Sequence, residues 1–442
     1  MAAKKTIPEP RAPLSTAQVA KEARALIRPI RDDILALVRD LVKINSVAIP
    51  PEGNEAPAQK ALYKALKRAR LDVEMYNTDF VKKSRHRWVR HDRNYAGRPN
   101  VVARINGTGG GKSLLLTGHI DTVPPGAVTW PMGPWSGHIH KGLLYGRGAW
   151  DMKGGLVAQF AVLMALKRAG MRLRGDLLAE SVVDEEWAGG GGTLAGRLRG
   201  DNADAAVIAE GTNLVVMRAT RGGHFFELTV RAGDAKAYFS REEVISPATP
   251  MGRLLGWIDM WTKKRRAIDR GDVYTEFSDP APVQILALEA NRFDPETPWS
   301  VPLEAKVRVY FQFLPHEDVF AVIREVEDSL AEFCKSDLFF KVYPPEQHNI
   351  VWPPLLGHQL PLDHPWTDCL ATSANAVLAR EVPISAAEYP CDAFLLQREF
   401  NIPTLLFGPM GGGAHNVDEF VKLSSVIETA EVLTAAALTW CA

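Results

Sequence analysis

The chain has 442 residues, 52 basic and 52 acidic side chains, a formal net charge of zero and 46% apolar residues. This length exceeds one ordinary domain and points to two, and the balanced charge gives no reason to expect nucleic acid or a membrane surface as a partner. Four scattered cysteines (Cys334, Cys369, Cys391, Cys441) with no CxxC pair argue against a disulfide framework or thiolate metal site and fit a reducing, cytoplasmic setting.

The first fifteen or so residues read as a loose, Pro-containing arm without a signal-peptide core, and no window reaches membrane-spanning length. From Ala17 to Val47 the apolar spacing is helical, with an interruption at Pro29. "EAPAQKALYKALKRARL" (55–71) is a second helix, and "LDVEMYNTDF" is the strand after it. The basic stretch "VKKSRHRWVRHDRN" (81–94) reads as a solvated or subunit-contact loop, with a rim for an anionic substrate as the lesser reading. "NVVARINGTGGGKSLLLTGHIDTVP" (100–124) reads as strand, glycine hairpin turn and buried strand. A P-loop is set aside, because GxxxxGK ending at Lys112 needs glycine where Asn106 stands, and a strand rather than a helix follows.

A long helix, "DMKGGLVAQFAVLMALKRAG" (151–170), precedes the strand "GDLLAESVVDEE" (175–186), a short helix "GTLAGRLRG" and the strand "ADAAVIAEGT" (203–212). Strands alternating with helices predict an α/β layered sheet. The pattern then changes. "GHFFELTVRAG" alternates with period two, and a helix, two more strands, a second helix and a closing strand "LFFKVYP" follow. Two helices on one face of an antiparallel sheet make a second, α+β domain. Beyond it the α/β pattern resumes with "WTDCLATSANAVLAR", "DAFLLQREF", "IPTLLFG" and a helix from Leu423. The predicted organisation is a catalytic domain in two parts, 17–215 and 346–442, with 216–345 inserted.

The chemistry-bearing residues collect where strands run out. His119 and Asp121 follow a buried apolar strand, in an HxD spacing that suits a metal ligand and its carboxylate orienter. Asp151 opens the long helix, where it could also be a simple cap. Asp184, Glu185 and Glu186 end another strand, Glu210 a third, and His415 lies in the glycine loop after a fourth. One such ending is accidental, but the set is hard to ascribe to surface solvation.

The order "GHIDTVP", "YGRGAWDMKGG", "DEEWAGG", a lone acid after the next strand and "GGGAHNVDE" resembles the co-catalytic metallopeptidase family of aminoacylase, acetylornithine deacetylase, succinyl-diaminopimelate desuccinylase and carboxypeptidase G. The resemblance covers nearly the whole chain, and the inserted domain matches that family's lid or dimerisation domain. It implies a two-metal site, most often zinc, with manganese or cobalt as alternatives. His119 and Glu210 would take one ion, Glu186 and His415 the other, and Asp151 would bridge them, followed by a cis peptide to Met152. Asp121 would orient His119, and Glu185 matches the general base that moves a proton from the attacking water to the leaving nitrogen. Asp184 is expected to pack behind the site, and Gly189 to Gly192 to let the backbone turn away from it. A homodimer through the lid is the family expectation.

One motif departs. The family's lid histidine is missing from "AGDAKAYFSREE", where Tyr238 is nearest, so Tyr238, Arg241 or Arg292 could supply that donor, and Arg292 could clamp a substrate carboxylate. The expected activity is metal-dependent hydrolysis of an amide-type C–N bond in a small N-acyl amino acid, dipeptide-like compound or related carboxylate. The alternatives are hydrolysis of another C–N bond, such as that of an aromatic amine, and a non-catalytic binding protein on the same fold.

Overall fold

The computed structural model describes residues 15–187, 189–231, 245–290 and 301–442. The predicted alternation becomes an eight-stranded mixed sheet, because its middle strands are apolar on both faces and must be covered by helices. Across that sheet the strands lie in the order Ile384–Ser385, Val216–Met217, Thr404–Leu406, Ala206–Ile208, Leu114–His119, Leu177–Val182, Pro99–Ile105 and Asp72–Asn77. The central four, from Thr404–Leu406 to Leu177–Val182, run parallel, so their carboxyl ends emerge side by side. Every residue of Leu114–His119 and of Leu177–Val182 is buried. The helix Gly154–Ala169 packs against both strands and against the final helix Leu423–Trp440. Twelve of its sixteen residues are buried, so it is a core helix rather than an amphipathic one.

The amino-terminal helical stretch divides at Pro29 as expected, into Thr16–Ile27 and Arg31–Val42 joined by a short 3₁₀ turn. Ser15 caps the first helix reciprocally with Gln18.

Two strand readings are corrected. The glycine segment 106–113 is not a hairpin turn, because Leu177–Val182 lies between Pro99–Ile105 and Leu114–His119 and pairs with each. The segment instead crosses the lead-in to that central strand, where Thr108 and Gly109 donate their N–H groups to the carbonyls of Leu173 and Arg174. "LFFKVYP" forms no strand: Asp337 accepts the N–H groups of Phe339 and Phe340 at 2.9 and 3.1 Å, which curls the chain into a turn and buries Phe340. The sheet position is taken by Glu346–Asn349, paired with Phe226–Thr229.

That second sheet is antiparallel throughout, in the order Val283–Glu289, Glu304–Phe313, Gly222–Arg231, Glu346–Asn349. The helices Ala248–Arg266 and Val319–Ser336 share its core through Leu254, Trp257, Trp261, Ile323 and Val326. Among the described residues its edge strand Val283–Glu289 pairs on one side alone, with Ile285, Leu286 and Leu288 all exposed. No helix among the described residues is long and apolar enough to cross a membrane. The opening arm, Tyr238, Arg241 and Arg292 lie outside the described residues.

Candidate active site

Parallel packing decides where the site forms. His119 closes its strand, Glu185 and Glu186 follow the neighbour ending at Val182, and Glu210 follows Ala206–Ile208. His415 comes from the loop after Thr404–Leu406, with φ +61°. Strand carboxyl ends in an open α/β sheet form a natural crevice, and the acids and imidazoles spread along the sequence meet there.

Asp151 stands at the centre. Its Oδ1 lies 3.1 Å from Nε2 of His119, and its Oδ2 lies 3.2 Å from Nε2 of His415. Glu210 Oε1 is 3.5 Å from the same His119 nitrogen, and Glu186 Oε2 is 2.9 Å from that of His415. Two donor groups result, His119 with Asp151 and Glu210, and Asp151 with Glu186 and His415, each with its ligand atoms within 4.8 Å of one another. The peptide bond from Asp151 to Met152 is cis.

The donor set fits a pair of cations. Nδ1 of His119 faces the backbone carbonyl of Asp121 at 3.0 Å, which fixes the N–H there and turns the Nε2 lone pair towards two carboxylates. Lone pairs facing each other repel unless a proton or a cation lies between them. Burial drives the pKa of Glu210 up and that of Glu186 to about 7, against the opposing pull of His119 and His415. Burial works against a charged His415, but Glu186 and Asp151 outweigh it and hold the imidazole up at about 11. Divalent ions bound by imidazole and carboxylate would supply the missing positive charge.

Glu185 lies on the cavity wall, its Oε2 4.0 Å from His119 Nε2. Burial pushes its pKa well above the ordinary carboxylate range; His119 opposes this, while Asp392, Glu210 and Glu186 add to it. Both the backbone carbonyl and the carboxylate of Asp121, the expected orienter, lie near His119 Nδ1. Its carboxylate is 3.8 Å from His119 Nδ1 and instead accepts the N–H groups of Glu185 and Glu186, at 3.3 and 3.1 Å. The backbone carbonyl is thus the nearer partner of the imidazole, and the side chain binds the acidic loop through two N–H groups.

That loop is secured from behind by buried groups, among them Arg90 and Arg93 of the stretch read as a solvated or subunit-contact loop. Asp184, in a left-handed conformation, accepts from Tyr95 at 2.8 Å and from Arg98 at 3.1 Å. Arg93 donates to the Trp187 carbonyl at 2.9 Å, and Arg90 to that of Gly189 at 3.3 Å. The basic stretch is therefore not a solvated loop at these positions, since Arg90 and Arg93 are 2% and 4% exposed. Its Gly/Asp/Tyr surroundings gave no periodic signal from which this burial could be read. Gly189 has φ +47°, and a Cβ there would sit 1.9 Å from Asp392 Oδ1, so the turn out of the site requires glycine.

Glu419 was visible in "GGGAHNVDE" but carried no expected role. It is fully buried and accepts from Arg147 at 2.7 Å and from the N–H groups of Gly148, Trp150 and Asp151 at 2.9, 2.9 and 3.0 Å. It thereby fixes the turn that presents Asp151.

These groups open on a cavity of about 820 Å³. Its wall includes Trp150, Phe225, Tyr310 and Tyr389, and residues of both sheets contribute to it. Phe225 and Tyr310 stack with centroids 4.2 Å apart.

Comparison with known proteins agrees with this geometry. The chain is 26% identical to an N-formyl-4-amino-5-aminomethyl-2-methylpyrimidine deformylase of Halalkalibacterium halodurans, over 96% of this chain and 98% of that one. It is 27% identical to a succinyl-diaminopimelate desuccinylase of Gluconacetobacter diazotrophicus, over 92% and 97%. The fold matches human carnosine dipeptidase 1 with a TM-score of 0.71 at 16% identity, covering 97% of this chain and 99% of that one. An M20 family metallo-carboxypeptidase from Sulfolobus solfataricus matches with a TM-score of 0.69 at 16% identity, covering 92% and 99%. The family model for peptidase family M20/M25/M40 matches residues 115–439. The chain belongs to peptidase family M20/M25/M40 and is a hydrolase of amide-type C–N bonds.

Proposed function

We propose that the chain holds two divalent ions, zinc by preference, and hydrolyses a small N-acylated compound, R–CO–NH–R′ + H₂O giving R–COOH + H₂N–R′. His119 and Glu210 would hold one ion and Glu186 and His415 the other, with Asp151 common to both donor groups. The observation that carries the reading is the division of the two Asp151 oxygens between His119 and His415. Bound there, the ions would lower the pKa of water and polarise the carbonyl. Glu185, on the cavity wall beside His119, accepts a proton from the attacking water and delivers it to the leaving nitrogen. Asp121 holds the backbone of that base through the Glu185 N–H.

The substrate is a small N-acyl amino acid, dipeptide-like compound or related amide. A second reading, in which the amine is carried on an aromatic ring, is favoured by the aromatic cavity wall and by the pyrimidine in the name of one relative. Free ammonia from a bare aromatic amine would mark the variant in which no acyl group is involved.

The antiparallel sheet and its two helices act as the inserted lid, expected over residues 216–345 with the strand Glu346–Asn349 completing its edge. The exposed edge strand bearing Ile285, Leu286 and Leu288 supports a homodimer through that lid. The four free, buried cysteines support a reducing, cytoplasmic compartment.

The test is a panel of N-acetyl and N-succinyl amino acids, dipeptides, N-formylbenzylamine and aromatic amines, with metal content measured in parallel. Chelator-sensitive release of a primary amine, with two ions per chain, is the expected result. Turnover that survives complete metal removal, or none on any panel member, would overturn the reading.

A further inference from the structure

We propose that Trp150 is a specificity-determining residue of this hydrolase, its indole a fixed platform against which a flat ring of the substrate stacks. The inference rests on the hydrolase reading above and deepens it by naming the substrate class, an amide that carries an aromatic ring on its amine or its acyl side.

The position of the indole follows from its neighbours. Trp150 immediately precedes Asp151, and the backbone N–H groups of both donate to Glu419, at 2.9 and 3.0 Å. The ring lies against Gly211, the residue after Glu210: a Cβ on Gly211 would sit 2.3 Å from the indole Nε1 and 2.4 Å from Cε2. The indole therefore stands beside the residue common to both donor groups and beside the chain that carries Glu210. A substrate that brings its amide to these groups lays a neighbouring substituent along this part of the wall.

The indole is also held rigidly. Its Nε1 donates to the Pro409 carbonyl at 2.9 Å. A Cβ on Gly411 would sit 2.6 Å from Cδ1 and from Cγ, and the Gly411 N–H is itself fixed by Asn213 Oδ1 at 3.0 Å. Two glycines thus admit the pyrrole edge of the ring, which is ordered before any substrate arrives and costs little entropy on binding.

Its face remains available. Trp150 is half-buried and lines the cavity. Among the described residues no ring or cation stacks on it. Phe225 and Tyr310, on the second sheet, instead cover one another, and Trp130 carries the Arg147 guanidinium 5.1 Å from its centroid. A large, immobile π face on a cavity wall suits a second aromatic ring, whose offset stacking adds to the gain from buried area.

Two matched pairs test this, each differing in the flatness of a ring and hardly in its size. N-formylbenzylamine against N-formylcyclohexylmethylamine places the ring on the amine, and N-phenylacetylglycine against N-cyclohexylacetylglycine places it on the acyl group. In at least one pair wild-type kcat/KM should favour the aromatic member by about 2–10-fold, and that pair identifies the side that meets Trp150. Trp150→Leu should abolish the preference by raising KM for the aromatic member, with kcat, metal content and urea midpoint unchanged. Trp150→Phe, which keeps a flat ring, should retain it. Equal kcat/KM within both pairs would overturn the platform while leaving the hydrolase reading standing. So would a preference that survives Trp150→Leu, or one lost in a Trp150→Phe protein that still binds both ions. Loss of metal or stability together with activity in Trp150→Leu would also overturn it, making the indole a support for Asp151. A wild-type protein with no chelator-sensitive turnover on any substrate would instead overturn the hydrolase reading itself.

Discussion

Replacing Glu419 with alanine should unfasten the turn that presents Asp151. The carboxylate accepts four hydrogen bonds, from the Arg147 guanidinium and the N–H groups of Gly148, Trp150 and Asp151, all between 2.7 and 3.0 Å. Burial raises its pKa, with Asp151 adding and the donors opposing, yet every partner is a donor and the geometry accommodates the carboxylate form. Alanine leaves Arg147, 1% exposed, as an unpaired buried cation beside three unpaired N–H groups. Breaking a buried pair by removing one partner costs about 3–5 kcal/mol, and partial access of water keeps the total near that range rather than at the sum of all four bonds. Glu419→Gln retains an acceptor oxygen and should lose roughly half as much. Urea unfolding of the metal-free proteins reads these losses directly. Metal titration should show affinity falling by about 10–100-fold, as when a group orienting a ligand is removed. A Glu419→Ala protein within about 1 kcal/mol of wild type, with metal affinity intact, would refute the clamp.

Glu185→Gln should lower kcat by about 10²–10⁴-fold while both ions remain bound; loss of metal alongside activity would remove it from the role of base. His358, buried with Nε2 at 3.2 Å from the Thr404 carbonyl, has its pKa pushed by burial down to about 4 from 6.5. Its folded pKa is depressed, so the stability it contributes is full above the unfolded value and lost as pH falls towards 4. Between about pH 7.5 and pH 5 the loss is about 2 kcal/mol, and His358→Gln should flatten that part of the urea-midpoint profile; an unchanged slope would refute it. Ile285→Lys with Leu288→Glu should leave turnover on a monomer basis measurable while converting a dimer to monomer in sedimentation; a dimer that persists would place the interface elsewhere.

The sequence by itself was enough for the layered α/β sheet, the antiparallel second sheet and the donor residues, because each has a local signature. Buried strands are continuous apolar runs, the second sheet alternates with period two, His119, Glu186 and Glu210 follow where such runs stop, Asp151 opens the long helix, and His415 lies in the glycine loop after a further strand. Local patterning does not carry strand order. The glycine segment 106–113 therefore looked like a hairpin, although Leu177–Val182, arriving about sixty residues later in the chain, occupies the place between its flanking strands. Nor does it carry the partners of buried charge. Arg93 in the basic stretch and Arg98 just beyond it are indistinguishable from solvated residues until the fold brings Asp184 to them. The same holds for Glu419, whose place in the fold depends on the four donors that surround it. Hydrophobic periodicity is written along the chain, whereas a hydrogen-bond partner or a shared cation is a relation between residues distant in sequence, and only packing creates it.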